Sequence, residues 1–133
     1  MLPAATKKGG QAMGFPDVCK TPPAPPVPVP YPNIAMLQNA DKTIKEVLVE
    51  NKEIVVESSK VPSSTGDEAG VLKGVVSNTH RGEIKFKKYS SKVFAKGKKV
   101  VHHTAVTQHN GSNANCPVGC HSVPSQTKVF VAP

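Results

Sequence analysis

The chain has 133 residues, a length typical of a single domain. Its 13 prolines and 10 glycines exclude a mostly helical protein, and its 5% of aromatic residues, with no tryptophan, exclude a large aromatic core. The formal charge of +8 permits nucleic acid, an anionic membrane or an acidic protein as a partner. Arg81 is the only arginine, which disfavours specific DNA reading because base recognition relies on arginine.

The sequence contains no obvious targeting segment. No apolar run approaches the roughly 18 residues of a transmembrane helix, and residues 1–11 lack the apolar stretch of a signal peptide. We therefore expect a protein that is made and kept in the cytoplasm unless a dedicated apparatus exports it. The cysteines number three, which favours free thiols or metal ligands over a disulfide framework in a cytosolic chain.

The N-terminal quarter of the chain divides into two segments. Residues 1–13 are small, polar and glycine-rich, which predicts a flexible lead-in before a single domain at 14–133. Prolines then alternate with apolar residues up to position 32, and proline holds both itself and its predecessor extended. We predict a proline-rich extended strand at Pro22–Asn33 that packs on the domain surface. A proline-rich linker or a ligand for a proline-reading module remains the alternative.

Two β-hairpins are predicted further along the chain. Their strands and turns are Thr43–Val49 and Glu53–Ser58 around residues 50–52, and Lys92–Ala95 and Lys98–Thr104 around Lys96-Gly97. Residues 45–58 align without gaps onto residues 91–104, an offset of 46, and residues 127–131 form a third partial copy. A repeated hairpin predicts a stacked or wrapped β architecture, with chance similarity of two hairpins as the alternative.

The remaining segments predict a mainly β fold. Thr65–Gly70 is typical of a turn, and Leu72–Val76 and Glu83–Lys88 are predicted to be short strands. Only residues 33–40 are compatible with a helical turn, for which Asn33 is a candidate N-cap.

Five segments of the chain resemble PAAR-like proteins, the relatives of the PAAR-repeat spike tips. They are GFPDVCKTPPAPPVPVPYPNIA (14–35), STGDEAGVLKGVVS (64–77), the hairpin KVFAKGKKVV (92–101), TQHNGSNANCP (107–117) and the closing VPSQTKVFV (123–131). The resemblance implies a small cone-like or pyramidal β fold whose base sits on a trimeric VgrG-type spike of a type VI secretion system. One copy per spike trimer is expected.

The resemblance also implies a function. Such a tip sharpens the spike for puncture of a target membrane and carries an effector or toxin. Because this chain ends soon after its last predicted strand, we expect a bare tip or one that carries a separate effector non-covalently. Two alternatives remain open: a zinc-stapled effector adaptor without a piercing role, and a basic module that binds nucleic acid without sequence specificity.

A structural zinc site is predicted near the C-terminus. His109, Cys116, Cys120 and His121 fall within thirteen residues, and zinc takes four nitrogen or sulfur ligands. The resemblance adds Cys19, because the opening motif lies near the tip in related cones. The middle motif TGDEAG supplies no His or Cys, which departs from the family pattern. Three thiols without a metal are the alternative.

No catalytic arrangement is evident in the sequence. A Cys–His pair can be drawn from the candidate ligands, but no strand–turn–helix motif orients a nucleophile. Asp67 and Glu68 are adjacent and would point to opposite faces of a strand, which does not suit an acid–base pair. The glycines match no phosphate-binding loop. These observations predict a structural protein without enzymatic activity.

Overall fold

The computed structural model describes residues 1–22 and 25–133, and these residues form a mainly β fold, as predicted. The described strands are β1 (Leu2–Pro3), β2 (Gln11–Thr21), β3 (Val27–Met36), β4 (Ile44–Val49), β5 (Lys52–Ile54), β6 (Lys60–Val61), β7 (Ile84–Phe86), β8 (Phe94–Ala95), β9 (Lys98–Lys99), β10 (Val106–His109), β11 (Cys116–Val123) and β12 (Phe130–Val131). They belong to one six-stranded antiparallel sheet, in the order β3-β2-β11-β10-β7-β6, and three two-stranded sheets.

The proline-rich strand is observed at β3, on the edge of the six-stranded sheet. It begins at Val27; Pro23 and Ala24, which the sequence analysis placed in the same strand, lie outside the described residues. Because N–H groups alternate between the two edges of a strand, prolines at every second position remove the donors from one edge. The hydrogen bonds that β3 donates to β2 in this stretch therefore come from the backbone N–H groups of Val27, Val29 and Tyr31. The outer edge of β3 is left without donors along this stretch.

Both predicted hairpins are confirmed. Strand β4 pairs with β5, and β8 pairs with β9. Glu50 and Asn51 have φ angles of 52° and 66°, and Lys96 and Gly97 have φ angles of 49° and 78°. Positive φ at two successive residues is the backbone of the tight hairpin turn that matches strand twist.

The N-terminal residues are part of the fold. Residues 1–13 were predicted to be a flexible lead-in, but β1 pairs with β12 and closes a third two-stranded sheet. Ala4 and Ala5 are fully buried. The prediction is wrong because small side chains, which are common in disordered segments, here allow close packing of strands.

The three two-stranded sheets are related by a pseudo-threefold axis. The backbone N–H of Ala5 donates to the carbonyl of Val101 (2.9 Å), that of Val101 to Val55 (3.0 Å), and that of Val55 to Ala5 (2.9 Å). Three further bonds repeat this cycle: Lys7 to Glu53 (2.9 Å), Glu57 to Lys99 (2.8 Å) and His103 to Pro3 (2.8 Å). The offset of 46 residues noted in the sequence therefore relates two of three equivalent units.

Apolar side chains pack on both sides of this hydrogen-bonded ring. One cluster contains Ala4, Val49, Ile54, Val56, Ala95, Val100 and Val131. The other contains Ala5, Ala12, Ala35, Leu37, Ala40, Val55, Val61, Ile84, Phe86, Val101 and Ala105. Successive residues of a strand point to opposite faces, so each inner strand contributes to both clusters. The ring is thus enclosed between two apolar layers.

Two local predictions are wrong. Leu72–Val76 is a series of turns, because Lys73 adopts a left-handed φ of 76° that interrupts an extended strand. The predicted helical turn is a single 3₁₀ turn at Leu37–Asn39, but Asn33 is a buried residue of β3 and caps nothing. Within the described residues, no helix has the length and apolarity needed to cross a membrane.

Candidate functional site

One candidate site is the threefold end, which comprises the sheets β1–β12, β4–β5 and β8–β9. In each unit a valine precedes a large exposed apolar residue, as Val47–Leu48, Val93–Phe94 and Val129–Phe130. The exposed fractions of Leu48, Phe94 and Phe130 are 55%, 53% and 43%. They pair with Glu53, Lys99 and Pro3, which are equivalent positions of the ring. The same apolar feature is therefore presented three times about one axis.

Ion pairs between units follow the same symmetry. The turn residue Glu50 contacts Lys128 of the next unit (3.7 Å), and the equivalent turn residue Lys96 contacts Glu46 (3.3 Å). The turn residue is acidic in the first contact and basic in the second, but the two contacts join equivalent positions of the units. Exposed ion pairs contribute little free energy, so their main significance is as a second sign of equivalent packing.

A second candidate site is buried beneath β2, and we call Asp17, Cys19 and Asp67 the acid–thiol group. Asp17 and Cys19 lie two residues apart on β2, and Asp67 lies in the turn at 65–70. All three are fully buried, and one ligand atom from each lies within 4.8 Å of the others. The Cys19 thiol lies 3.6 Å from an Asp17 oxygen. By proximity alone, this group could hold a metal ion.

Three asparagine side chains surround the acid–thiol group. The amide of Asn33 donates to Asp17 (3.1 Å), and those of Asn110 and Asn115 donate to the other Asp17 oxygen (3.0 and 2.5 Å). Asp67 accepts a bond from the backbone N–H of Arg81 (3.3 Å). Such donors take the place of water at both oxygens of Asp17, whereas Asp67 Oδ1 is buried without a hydrogen-bond partner.

The electrostatics of the group suppress thiol reactivity. Burial, together with the nearby carboxylates of Asp17 and Asp67, raises the pKa of Cys19 to about 12. Burial and a hydrogen bond with Asp17 raise the pKa of Asp67 to about 6. Burial opposes ionisation of Asp17, but hydrogen bonds from Asp67, Asn115 and Asn110 outweigh it and lower its pKa. Cys19 therefore stays a thiol at neutral pH and is no nucleophile.

Two of the predicted zinc ligands lie beside this region. His109 is fully buried, and its ring nitrogens contact Asn33 Oδ1 and Thr107 Oγ1, each at 2.7 Å. Burial lowers the pKa of His109 to about 4, so its ring is neutral. Cys116 is close by, because a Cβ built on Gly14 would lie 2.9 Å from both Cys116 Sγ and His109 Cδ2. Both nitrogens of His109 are thus occupied by protein groups.

The other two predicted ligands lie elsewhere. Cys120 is exposed, whereas its neighbour His121 is buried on the opposite face of β11. His121 stacks edge-on against His103, with ring centroids 5.8 Å apart, and contacts the carbonyl of Gln11 (3.2 Å). Across residues 1–22 and 25–133, no four His, Cys, Asp or Glu side chains bring ligand atoms within 4.8 Å of one another. The structure thus places Cys19 in the acid–thiol group and His109 beside Cys116, and it leaves Cys120 and His121 apart from both.

Most residues of the buried polar site carry no functional signal in the sequence. No sequence pattern assigns a role to Asp17, Asn110 or Asn115. Asp67 falls in a predicted turn, and Asn33 is a candidate N-cap. One signal was available, because Asp17 and Cys19 are two residues apart on a predicted extended segment and so face the same side. The asparagines gave no such signal, because they reach the site from distant segments.

Comparison with known proteins places this geometry in context. A sequence model described as the toxin PAAR-like domain matches residues 10–116. The DNase toxin Tse7 of Pseudomonas aeruginosa is 37% identical over 120 residues, which cover 83% of this chain. The chain spans 31% of the length of that relative. No solved structure matches.

This comparison corrects one prediction. The residue patterns predicted a structural protein without enzymatic activity, but the relative is a DNase toxin. Nuclease activity therefore occurs among the relatives of the chain, and the expectation was wrong. The residue patterns could not reveal this, because the chain corresponds to 31% of the relative's length.

Proposed function

The chain belongs to the toxin PAAR-like domain family, and from this membership we propose that it is a spike-tip domain of a type VI secretion system that delivers a toxin. It docks as a single copy on the blunt end of a trimeric VgrG-type spike. It leaves the cytoplasm with the spike and meets the target membrane first. The domain comprises residues 14–133 together with the N-terminal segment 1–13, whose strand β1 pairs with β12.

The observation that carries this proposal is the pseudo-threefold axis at the threefold end. A trimeric spike presents three identical copies of each surface around its axis. A single chain can match all three only if it repeats one contact three times in the same arrangement. Val47–Leu48, Val93–Phe94 and Val129–Phe130 supply such a repeated apolar contact. Exposed apolar residues of this kind favour a protein partner over free solvent.

The toxin relative supports the delivery part of the proposal. Because that relative is a DNase toxin, we propose that the activity delivered with this tip acts on DNA. The formal charge of +8 is compatible with an acidic spike or effector surface as well as with nucleic acid.

A reconstitution experiment tests the docking. The purified chain is mixed with a trimeric VgrG-type spike protein from the same cells, and the complex is weighed by native mass spectrometry. We expect one chain per trimer. Phe94→Lys should weaken the complex at least tenfold, because it places a charge in one of the three apolar contacts. Val118→Lys is the matched control, since Val118 is 71% exposed on β11, outside the threefold end.

Three results would overturn the proposal. They are the absence of any complex, a stoichiometry of three chains per trimer, and equal weakening by both variants. Capture of an effector without a spike would favour the adaptor. Retention on DNA that falls steeply with salt would favour a nucleic-acid-binding module.

A further inference from the structure

The resemblance led to the expectation of a structural zinc ion with Cys19 among its ligands, and Cys19 belongs to the acid–thiol group. We infer that three asparagine amides close the Asp17 carboxylate of this group and that the group holds no metal ion. The inference depends on which way each amide points, because an amide oxygen would be a ligand and an amide N–H would repel a cation. Three independent sets of contacts fix these directions.

The orientation of Asn110 is fixed by a backbone donor. Its Oδ1 accepts a hydrogen bond from the N–H of Gly82 at 2.8 Å, and a backbone N–H can only donate. Its Nδ2 must then face the other way, towards Asp17 (3.0 Å) and the carbonyl of Thr79 (3.0 Å). Exchanging the two amide atoms would place a donor against a donor and an acceptor against an acceptor.

The orientation of the Asn115 amide is likewise fixed by main-chain groups. Its Oδ1 accepts from the backbone N–H of Val76 (2.8 Å), and its Nδ2 donates to the carbonyl of Val18 (2.8 Å) as well as to Asp17. One Asp17 oxygen therefore receives two amide N–H groups whose directions are both set by the main chain.

The second Asp17 oxygen is occupied by Asn33. The Ser64 hydroxyl donates to the carbonyl of Gly82 (2.6 Å), so it accepts from Asn33 Nδ2 (2.9 Å). Asn33 Nδ2 also lies 3.1 Å from Asp17, and Asn33 Oδ1 faces His109. Because both Asp17 oxygens receive N–H donors, a cation at this point would lie against positively polarised hydrogens.

These amides perform the mechanical task of a structural metal. Asp17 on β2 is bound to β3 by Asn33 and to the segment after β10 by Asn110 and Asn115. The two longest links join residues separated by 93 and 98 positions in sequence. A metal ion would hold the same distant segments together through its ligands. The site therefore needs no cation to define the fold here.

The first experiment measures metal directly. The chain is produced in zinc-supplemented medium, purified without chelator and analysed by inductively coupled plasma mass spectrometry. We expect less than about 0.1 equivalent of zinc or any other transition metal per chain, and a melting temperature unchanged by EDTA or added zinc. One equivalent of metal, with a melting temperature that EDTA lowers, would overturn the inference.

A pair of variants tests the amides themselves. Asn110→Asp replaces a donor with a carboxylate that faces Asp17, and we expect the melting temperature at neutral pH to fall by about 10 °C. Asn113→Asp makes the same chemical change at an exposed position of the same loop and should leave it within about 2 °C. If Asn110→Asp matches the control, the amide of Asn110 does not close the site and the inference fails. Should Asn110→Asp not fold, the metal content of the natural chain still decides.

Discussion

The backbone N–H of Ala5 donates to the carbonyl of Val101 at 2.9 Å, which joins the segment after β1 to the last third of the chain. Both residues are fully buried, so this bond has no water to replace it. Because it is one of three equivalent bonds in the ring with Val55, its loss also removes one side of the pseudo-threefold arrangement. The N-terminal residues are therefore expected to matter for stability.

Ala5→Pro should destabilise the protein strongly. Proline lacks the N–H that Val101 accepts, and we expect the free energy of unfolding to fall by about 3 kcal/mol or more. Ala5→Gly keeps the donor and should cost about 1 kcal/mol through backbone entropy. Urea unfolding of both variants makes the comparison. Equal losses would show that the ring bond contributes nothing of its own.

Gly14→Ala should also destabilise the protein, for steric reasons. An added Cβ would lie 2.9 Å from Cys116 Sγ and His109 Cδ2, so two buried side chains would have to move. We expect a loss of about 1–3 kcal/mol, the range for overpacked cores. Gly9→Ala is the control, because nothing lies within 4 Å of a Cβ at that position. Thermal unfolding should separate the two variants, and an unchanged Gly14→Ala would contradict the packing described here.

The alternate prolines of β3 should prevent association through that edge. Replacing Pro28 and Pro30 together with threonine restores two N–H donors on the outer edge of the sheet, where another strand can add. We expect the double variant to form dimers or larger species in sedimentation velocity at about 100 μM. Pro62→Thr, an exposed proline outside the strands, should remain monomeric. A monomeric double variant would show that the prolines are not needed for this purpose.

Stability should fall in mildly acidic solution because two histidines are buried. Burial lowers the pKa values of His109 and His121 to about 4, from 6.5 in the unfolded chain. Between these values the unfolded chain binds protons that the folded protein does not, so stability is full above pH 6.5 and is lost as the pH falls towards 4. Each histidine lowers the free energy of unfolding by about 1.4 kcal/mol per pH unit over this range. The pKa of Asp67 is raised to about 6, so between about pH 4 and 6 the folded protein binds a proton at Asp67 that the unfolded chain does not. This offsets the loss of stability caused by one histidine.

His121→Phe isolates one of these contributions. His121 Nε2 is buried without a hydrogen-bond partner, so phenylalanine removes an unsatisfied polar atom as well as the titration. We expect the loss of unfolding free energy between pH 6.5 and 4 to become shallower by about 1.4 kcal/mol per pH unit. His80→Gln, in the turn before β7, serves as the comparison variant. A slope that His121→Phe leaves unchanged would contradict the role of His121.

The hairpins could be predicted because their information is local. Glu50-Asn51 and Lys96-Gly97 are turn residues between short apolar strands, and the offset of 46 residues aligned them correctly. The third unit was recognised only in part. Its two strands, β1 and β12, come from opposite ends of the chain, so no local pattern connects them.

The buried polar site could not be predicted because its contacts are distant in sequence. Asn115 reaches Asp17 across 98 positions, and no periodicity relates the two residues. The prediction of zinc rested on closely spaced residues, but Cys120 and His121 are neighbours on a strand and must face opposite sides. Spacing along the chain suggested a cluster that the strand geometry separates.

The third unit makes the fold a candidate for circular permutation. Val131 and Leu2 are partners in the β1–β12 sheet, at the place where the other two units carry a two-residue turn. A short Asn-Gly type linker between the two strands would complete that turn, and new termini could open at Lys96-Gly97. A second permutant could open at Glu50-Asn51, so that the natural chain and the two permutants would present their chain ends at three equivalent positions. A fused cargo could thus be moved by about a third of a revolution around the same axis.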